Sequence, residues 1–105
     1  MNQIIETMVE QVNRKPESEP LKLFTALNAS QIVYSDEDKF IQFKIRGDRD
    51  VNKVKVIYDE GQDLYNVEFW DIRVGSKMVM DKKDEMKGLF NDQVTDAIWR
   101  RCVII

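Results

Sequence analysis

Carboxylates are the only side chains in this sequence numerous and close enough to suggest reaction chemistry, and they gather in two places. Asp36-Glu37-Asp38 is one, and Asp59, Glu60 and Asp63 around Gly61 are the other. Such oxygen donors suit Mg²⁺, Ca²⁺ or Mn²⁺, and two-metal phosphoryl chemistry asks little else of a protein. Neither run has the ordered spacing of a calcium-binding loop or its closing Glu, and both have the composition of hairpin turns. No metal and no cofactor is therefore expected. The sequence has no histidine, which removes the commonest general base and every Ser-His or Cys-His nucleophile pair. With a single cysteine, zinc sites built from Cys and His are excluded as well. Cys102 follows Arg100 and Arg101, whose charge can lower a thiol pKa, yet without a base it reads as an inert thiol ending an apolar stripe. The four glycines form no phosphate-cradling series. Arg46-Gly47-Asp48 spells an adhesion tripeptide, which in an intracellular chain is a strand end and a turn. The expectation is a protein that is not an enzyme.

Binding residues stand out more than catalytic ones. Strand alternation places Gln42, Lys44, Arg46, Lys53, Lys55, Asn66 and Glu68 on one side of a sheet, together with Phe40, Ile57, Trp70 and Ile72. Lys44, Arg46, Lys53, Lys55, Trp70 and Ile72 are the candidate binding residues. Trp and Arg anchor protein interfaces, while aromatic rings between cations can also stack bases and hold phosphates. Protein binding is the favoured use, and single-stranded nucleic acid the alternative. Against both stands a structural reading in which the terminal segments fold over this side and bury Trp70. Trp99, Val103, Ile104 and Ile105 are interface candidates, since β-branched residues at the end of the sequence call for a cover, whether the monomer itself or a twofold partner.

The elements that must position these residues follow from periodicity. Ile4, Ile5, Met8, Val9 and Val12 recur at helical intervals behind Asn2, a candidate N-cap, and predict a helix ending near Asn13. A connector carrying Pro16 and Pro20 leads to a short second helix, Pro20 to Leu27, with Ser18 as its cap. From residue 31 the period becomes two. Ile41, Phe43 and Ile45, then Val54, Val56 and Tyr58, then Tyr65, Val67 and Phe69 mark three half-buried strands separated by turn-forming residues. Ile32 to Tyr34 and Met78 to Met80 are shorter outer members. Past Asp81, the spacing of Met86, Leu89, Phe90, Val94, Ala97 and Ile98 predicts a long C-terminal helix capped by Asp81 and weakened by Gly88. The expected fold is a single α+β domain over residues 1–105: N-terminal helix, short second helix, antiparallel meander of four or five strands, long C-terminal helix.

A length of 105 residues, 43% apolar and 33% charged residues suit one folded domain. A formal net charge of −3 disfavours wholesale capture by DNA or anionic lipid. One cysteine suits a reducing compartment, and no secretory leader or membrane span is expected, so the chain reads as cytoplasmic. Asn52-Lys53-Val54-Lys55-Val56, Asp63-Leu64-Tyr65-Asn66-Val67-Glu68-Phe69 and Ile72-Arg73 resemble a group of small uncharacterised proteins from phages and other mobile elements. There a similar pair of strands is followed by a short strand and a C-terminal helix. The resemblance implies an origin rather than an activity, and brings no site residue with it. Taken with the small size, the acidity and the absence of catalytic groups, that origin leads to the expectation of a host protein as partner, a component of defence or gene expression, met in the host cytoplasm. Two open strand edges add a homodimer to the expected partners.

Overall fold

The computed structural model describes residues 2–46 and 50–103. Helix α1 (Gln3–Val12) opens the chain, capped as the sequence predicts, with the Asn2 side chain accepting from the Ile5 amide at 2.9 Å. Its buried stripe is Ile5, Met8 and Val12. Helix α2 is only Leu23–Ala26, shorter than expected. Its cap is not Ser18; instead the Asn13 side chain reaches across to accept from the Phe24 amide at 2.8 Å. Leu23 and Leu27 are buried here, while Leu21 stays exposed.

Five strands follow: β1 (Ser30–Ser35), β2 (Phe40–Lys44), β3 (Lys53–Asp59), β4 (Leu64–Val74) and β5 (Met78–Leu89). They pair antiparallel in chain order, β1-β2-β3-β4-β5. Helix α3 (Val94–Val103) closes the chain. The α+β class and its order of elements are those the sequence predicts. One boundary differs: residues 81–89 are strand, not the start of the last helix, and Asp81 caps nothing there.

The inner sheet face carries Ile41, Phe43, Val54, Val56, Tyr65, Val67 and Phe69, all buried in one core with Ile5, Met8, Val12, Leu23, Val94, Ile98, Trp99 and Cys102 from the helices. All three helices therefore pack on the same face. Two polar contacts fix this layer. The Thr95 hydroxyl donates to the carbonyls of Gln11 and Val12 at 3.0 and 2.9 Å, meeting groups that the end of α1 leaves unpaired. Arg101 of α3 binds Asp84 of β5 at 2.9 Å and lies over the Phe69 ring at 5.6 Å, tying the helix to the sheet edge.

Candidate binding surface

With the helices on one face, the other face of the sheet has no helix over it. Register decides what stands there, because residues directly opposite in antiparallel strands share a face. Lys44 of β2 pairs with Lys53 of β3, Lys53 with Trp70 of β4, and Trp70 with Lys82 of β5. One cross-strand row thus holds three lysines and a tryptophan. The adjoining row runs Gln42, Lys55, Glu68, Glu85. Like charges directly opposite, as in Lys44 and Lys53, work against the sheet. Several contacts order the surroundings: Lys55 sits 4.3 Å from the centroid of Phe40, the Trp70 indole N–H donates to Glu68 Oε1 at 3.0 Å, and Lys82 approaches Glu85 at 3.5 Å.

The chemistry continues off the end of the sheet. β3 begins at Lys53, opposite Trp70, whereas β4 runs on to Val74 and returns as β5 from Met78. The result is a two-stranded arm. One side of it is apolar yet open to solvent: Val74 is 79% exposed, Met78 65% and Met80 58%. Ile72 pairs with Met80 and Val74 with Met78, so these four extend the apolar surface from Trp70 outward. Val79 is exposed on the opposite side of the arm, opposite Arg73. At its base Asp81 binds Lys83 at 3.0 Å, and this hydrogen bond raises the lysine pKa. Asn52 braces the arm: its carboxamide accepts from the Ile72 amide at 2.9 Å and donates to the Ile72 carbonyl at 2.8 Å.

Of the six candidate binding residues, Lys44, Lys53, Lys55, Trp70 and Ile72 share the uncovered face. Arg46 lies beyond the end of β2, beside a separate depression that includes Ser30, Gln31 and Asn52. Trp99 is 8% exposed and belongs to the core within the monomer, and Val103 at the end of α3 is exposed. Ile104 and Ile105, like Gly47, Asp48 and Arg49, lie outside the described residues. Trp70 is half-buried among its strand neighbours and does not lie under α3, which packs on the opposite face.

The turn carboxylates occupy one end of the sheet, where Lys39 binds Glu60 at 3.0 Å across the two hairpins. Asp59 accepts from the Gln62 amide at 3.3 Å, as turn residues do, whereas Asp36 accepts from the distant Asn2 amide at 3.1 Å and ties its turn to the start of α1. Among the described residues, no group of three metal-capable side chains converges. Cys102 is buried. Lys82, opposite Trp70, is not among the residues expected from the sequence, because a helix is expected past Asp81 where β5 continues; Met80 falls in the expected outer strand, without its pairing to Ile72. Gly88 was the signal that could have found them, since an isolated glycine in a strand marks a bulge. Comparison with protein-family models, with curated proteins and with solved structures returned no match. Among the described residues no helix is long and apolar enough to cross a membrane.

Proposed function

We propose that this chain is a non-catalytic binding protein, that its recognition surface is the uncovered sheet face with the β4–β5 arm, and that its partner is a protein. The observation that carries this reading is the apolar strip of Trp70, Ile72, Met80, Val74 and Met78, flanked by Lys44, Lys53 and Lys82. A contiguous exposed apolar surface with a charged rim is the usual form of an interaction site, and Trp is among the commonest anchors. The partner this surface fits presents apolar side chains within an acidic border. Glu68 and Glu85 on the same face favour a protein over a phosphate chain, which they would repel. The reading of a phage or mobile-element protein acting on a factor in the host cytoplasm rests on the resemblance of the meander residues, with the small size, the acidity and the lack of catalytic groups in the sequence beside it. The homodimer belongs to the same proposal: β1 is an edge strand with Ile32, Val33 and Tyr34 exposed, and two such edges can pair about a twofold axis.

The test compares the native chain with Trp70→Ala and Met80→Asp, after circular dichroism has established that all three fold alike. A protein captured from host lysate by the native chain and lost with both substitutions is the expected result. Capture unchanged by either substitution defeats the proposal.

The row Lys44, Lys53, Trp70, Lys82 favours a second reading, in which a single nucleic-acid strand runs across the sheet with a base stacked on Trp70. Because Trp99 is buried, quenching of tryptophan emission by an oligonucleotide would report on Trp70. Quenching that falls steeply with salt and disappears in Trp70→Ala would move the assignment to nucleic acid.

A further inference from the structure

A cleft of about 290 Å³ opens between α1 and the β3–β4 hairpin, on the helix-bearing side of the sheet. Ile4 and Met8 of α1 give it an apolar side. Tyr58 and Tyr65 give it an aromatic one, with ring centroids 5.3 Å apart and planes inclined at 47°. Its polar groups include acceptors beside those rings, the Asp63 carboxylate among them. The Tyr58 hydroxyl donates to Asp63 Oδ1 at 2.5 Å, which leaves the other carboxylate oxygen without a donor among the described residues. The Tyr65 hydroxyl donates to Gln11 Oε1. Gln3 and Thr7, also on the lining, make no side-chain hydrogen bond among the described residues. Among the described residues, Asp63 is the only carboxylate in the lining and no cationic side chain lines it, although the charge of Arg14 reaches Tyr65. Asp59 and Glu60 add their negative field at Tyr58, while Lys39 offsets Glu60 from 3.0 Å.

We infer that this cleft is a binding site for a primary alkylammonium group, with Asp63 as its counter-ion and the rings of Tyr58 and Tyr65 against its stem. An ammonium brings three donors and no acceptor, matching a wall of carboxylate, phenol and carboxamide oxygens. Aromatic faces beside a carboxylate attract a cation. The same carboxylate repels an anion, and a neutral alcohol gains nothing from its charge. The volume lies at the low end for ligand pockets, enough for a short aliphatic chain but not for a larger ring system. The phenol of Tyr58 is pushed up to about 12, first by its hydrogen bond to Asp63 and then by burial, so near neutral pH it stays a neutral donor. The site is separate from the uncovered sheet face and stands or falls independently of it.

An alkylammonium can come from a free amine or from a lysine side chain, and the experiment distinguishes them. The full chain is titrated with n-butylammonium, with Nα-acetyl-lysine amide, and with n-butanol and butyrate as neutral and anionic controls. Resonances of the Ile4 and Met8 methyl groups and the Tyr58 ring are followed by NMR. Saturable shifts with either cation and none with the controls are expected. Tighter binding of the capped lysine assigns the site to a peptide, and tighter binding of n-butylammonium assigns it to a free amine. Asp63→Asn should weaken cation binding by about tenfold or more through loss of the charge-assisted contact. Asn tolerates the left-handed backbone at this position, where φ is 55°, so the turn is kept. Butanol binding as well as the amines, an unchanged affinity in Asp63→Asn, or no saturable shift at all would overturn the assignment.

Discussion

Asn52 shows how one side chain can stand in for a strand. Its own amide donates to the Trp70 carbonyl at 2.9 Å, and there the backbone pairing of β4 with β3 ends. Its carboxamide then supplies the next donor and the next acceptor to Ile72, so the arm leaves the sheet from a braced base. Asn52→Ala should cost about 1–3 kcal/mol, the penalty for stranding partly buried backbone groups. Hydrogen exchange at the Ile72 amide should accelerate in that variant, and Asn52→Asp should protect the amide but not restore the bond to the carbonyl. The two tyrosines of the cleft make a second prediction. Tyr65 is pushed up to about 12 chiefly by burial, and Tyr58 to about 12 chiefly by its hydrogen bond to Asp63. The folded state thus holds these phenolic protons more tightly than an unfolded chain titrating near 10, and above pH 10 the unfolded state binds fewer protons. The contribution is complete below pH 10 and is lost as pH rises towards 12. Urea midpoints measured across that window should fall, and Tyr58→Phe should fall less steeply.

At the scale of elements, β5 explains both what the sequence made legible and what it did not. The meander could be read because Ile41 and Phe43, Val54 and Val56, and Tyr65, Val67 and Phe69 alternate with polar neighbours, as strands with one buried face must. All six candidate binding residues follow from that alternation, and five of them share the bare face, Arg46 lying beyond the end of β2. In β5 the period is broken by two irregularities, one between Tyr65 and Val67 and one between Phe69 and Trp70 on the partner strand. The extra residues near Gly88 bring Met86 and Leu89 to the same face although they are three apart, and a spacing of three looks helical. Gly88 takes φ 73°, and its amide donates to the Asn66 side chain at 3.0 Å. A Cβ there would meet only Leu64 Cδ1 at 3.9 Å, so the obstacle to replacement is backbone conformation rather than space. Gly88→Ala should therefore destabilise by about 1–2 kcal/mol, the cost of a left-handed L-residue. Gly75→Ala, with nothing within 4 Å of the added carbon, should be close to neutral in the same thermal melts. The arm was hidden for a further reason: nothing in the local sequence of Val74 and Met78 to Met80 says that β3 stops opposite Trp70.

Across the whole molecule, the sheet has a covered face, a bare face and two open edges. β1 is the simpler edge, with Val33 and Tyr34 exposed beyond an irregularity between Ser30 and Val33 and Ile32 exposed within it. β5, the other edge, carries a run of charged residues, Asp81 to Glu85, of the kind that discourages pairing. Self-association is therefore expected through β1. Sedimentation at high micromolar concentration should show a dimer for the native chain and a monomer for Ile32→Lys/Tyr34→Lys, since edge lysines block strand addition. A dimer that survives both lysines would move the interface to the bare face or the arm.

Because strand order follows chain order, every strand pairing is a hairpin closed over a short span of chain. The contact of Thr95 with Gln11 and Val12 instead joins residues more than eighty positions apart. Local pairings form early because little chain entropy is lost in closing them, so the meander should assemble first and the junction of α1 with α3 should lock last. In stopped-flow kinetics, Val56→Ala in β3 should chiefly slow folding, whereas Thr95→Val at the junction should chiefly speed unfolding. Equal partition of both effects between the two rate constants would mean that the distant helices are already docked when the barrier is crossed.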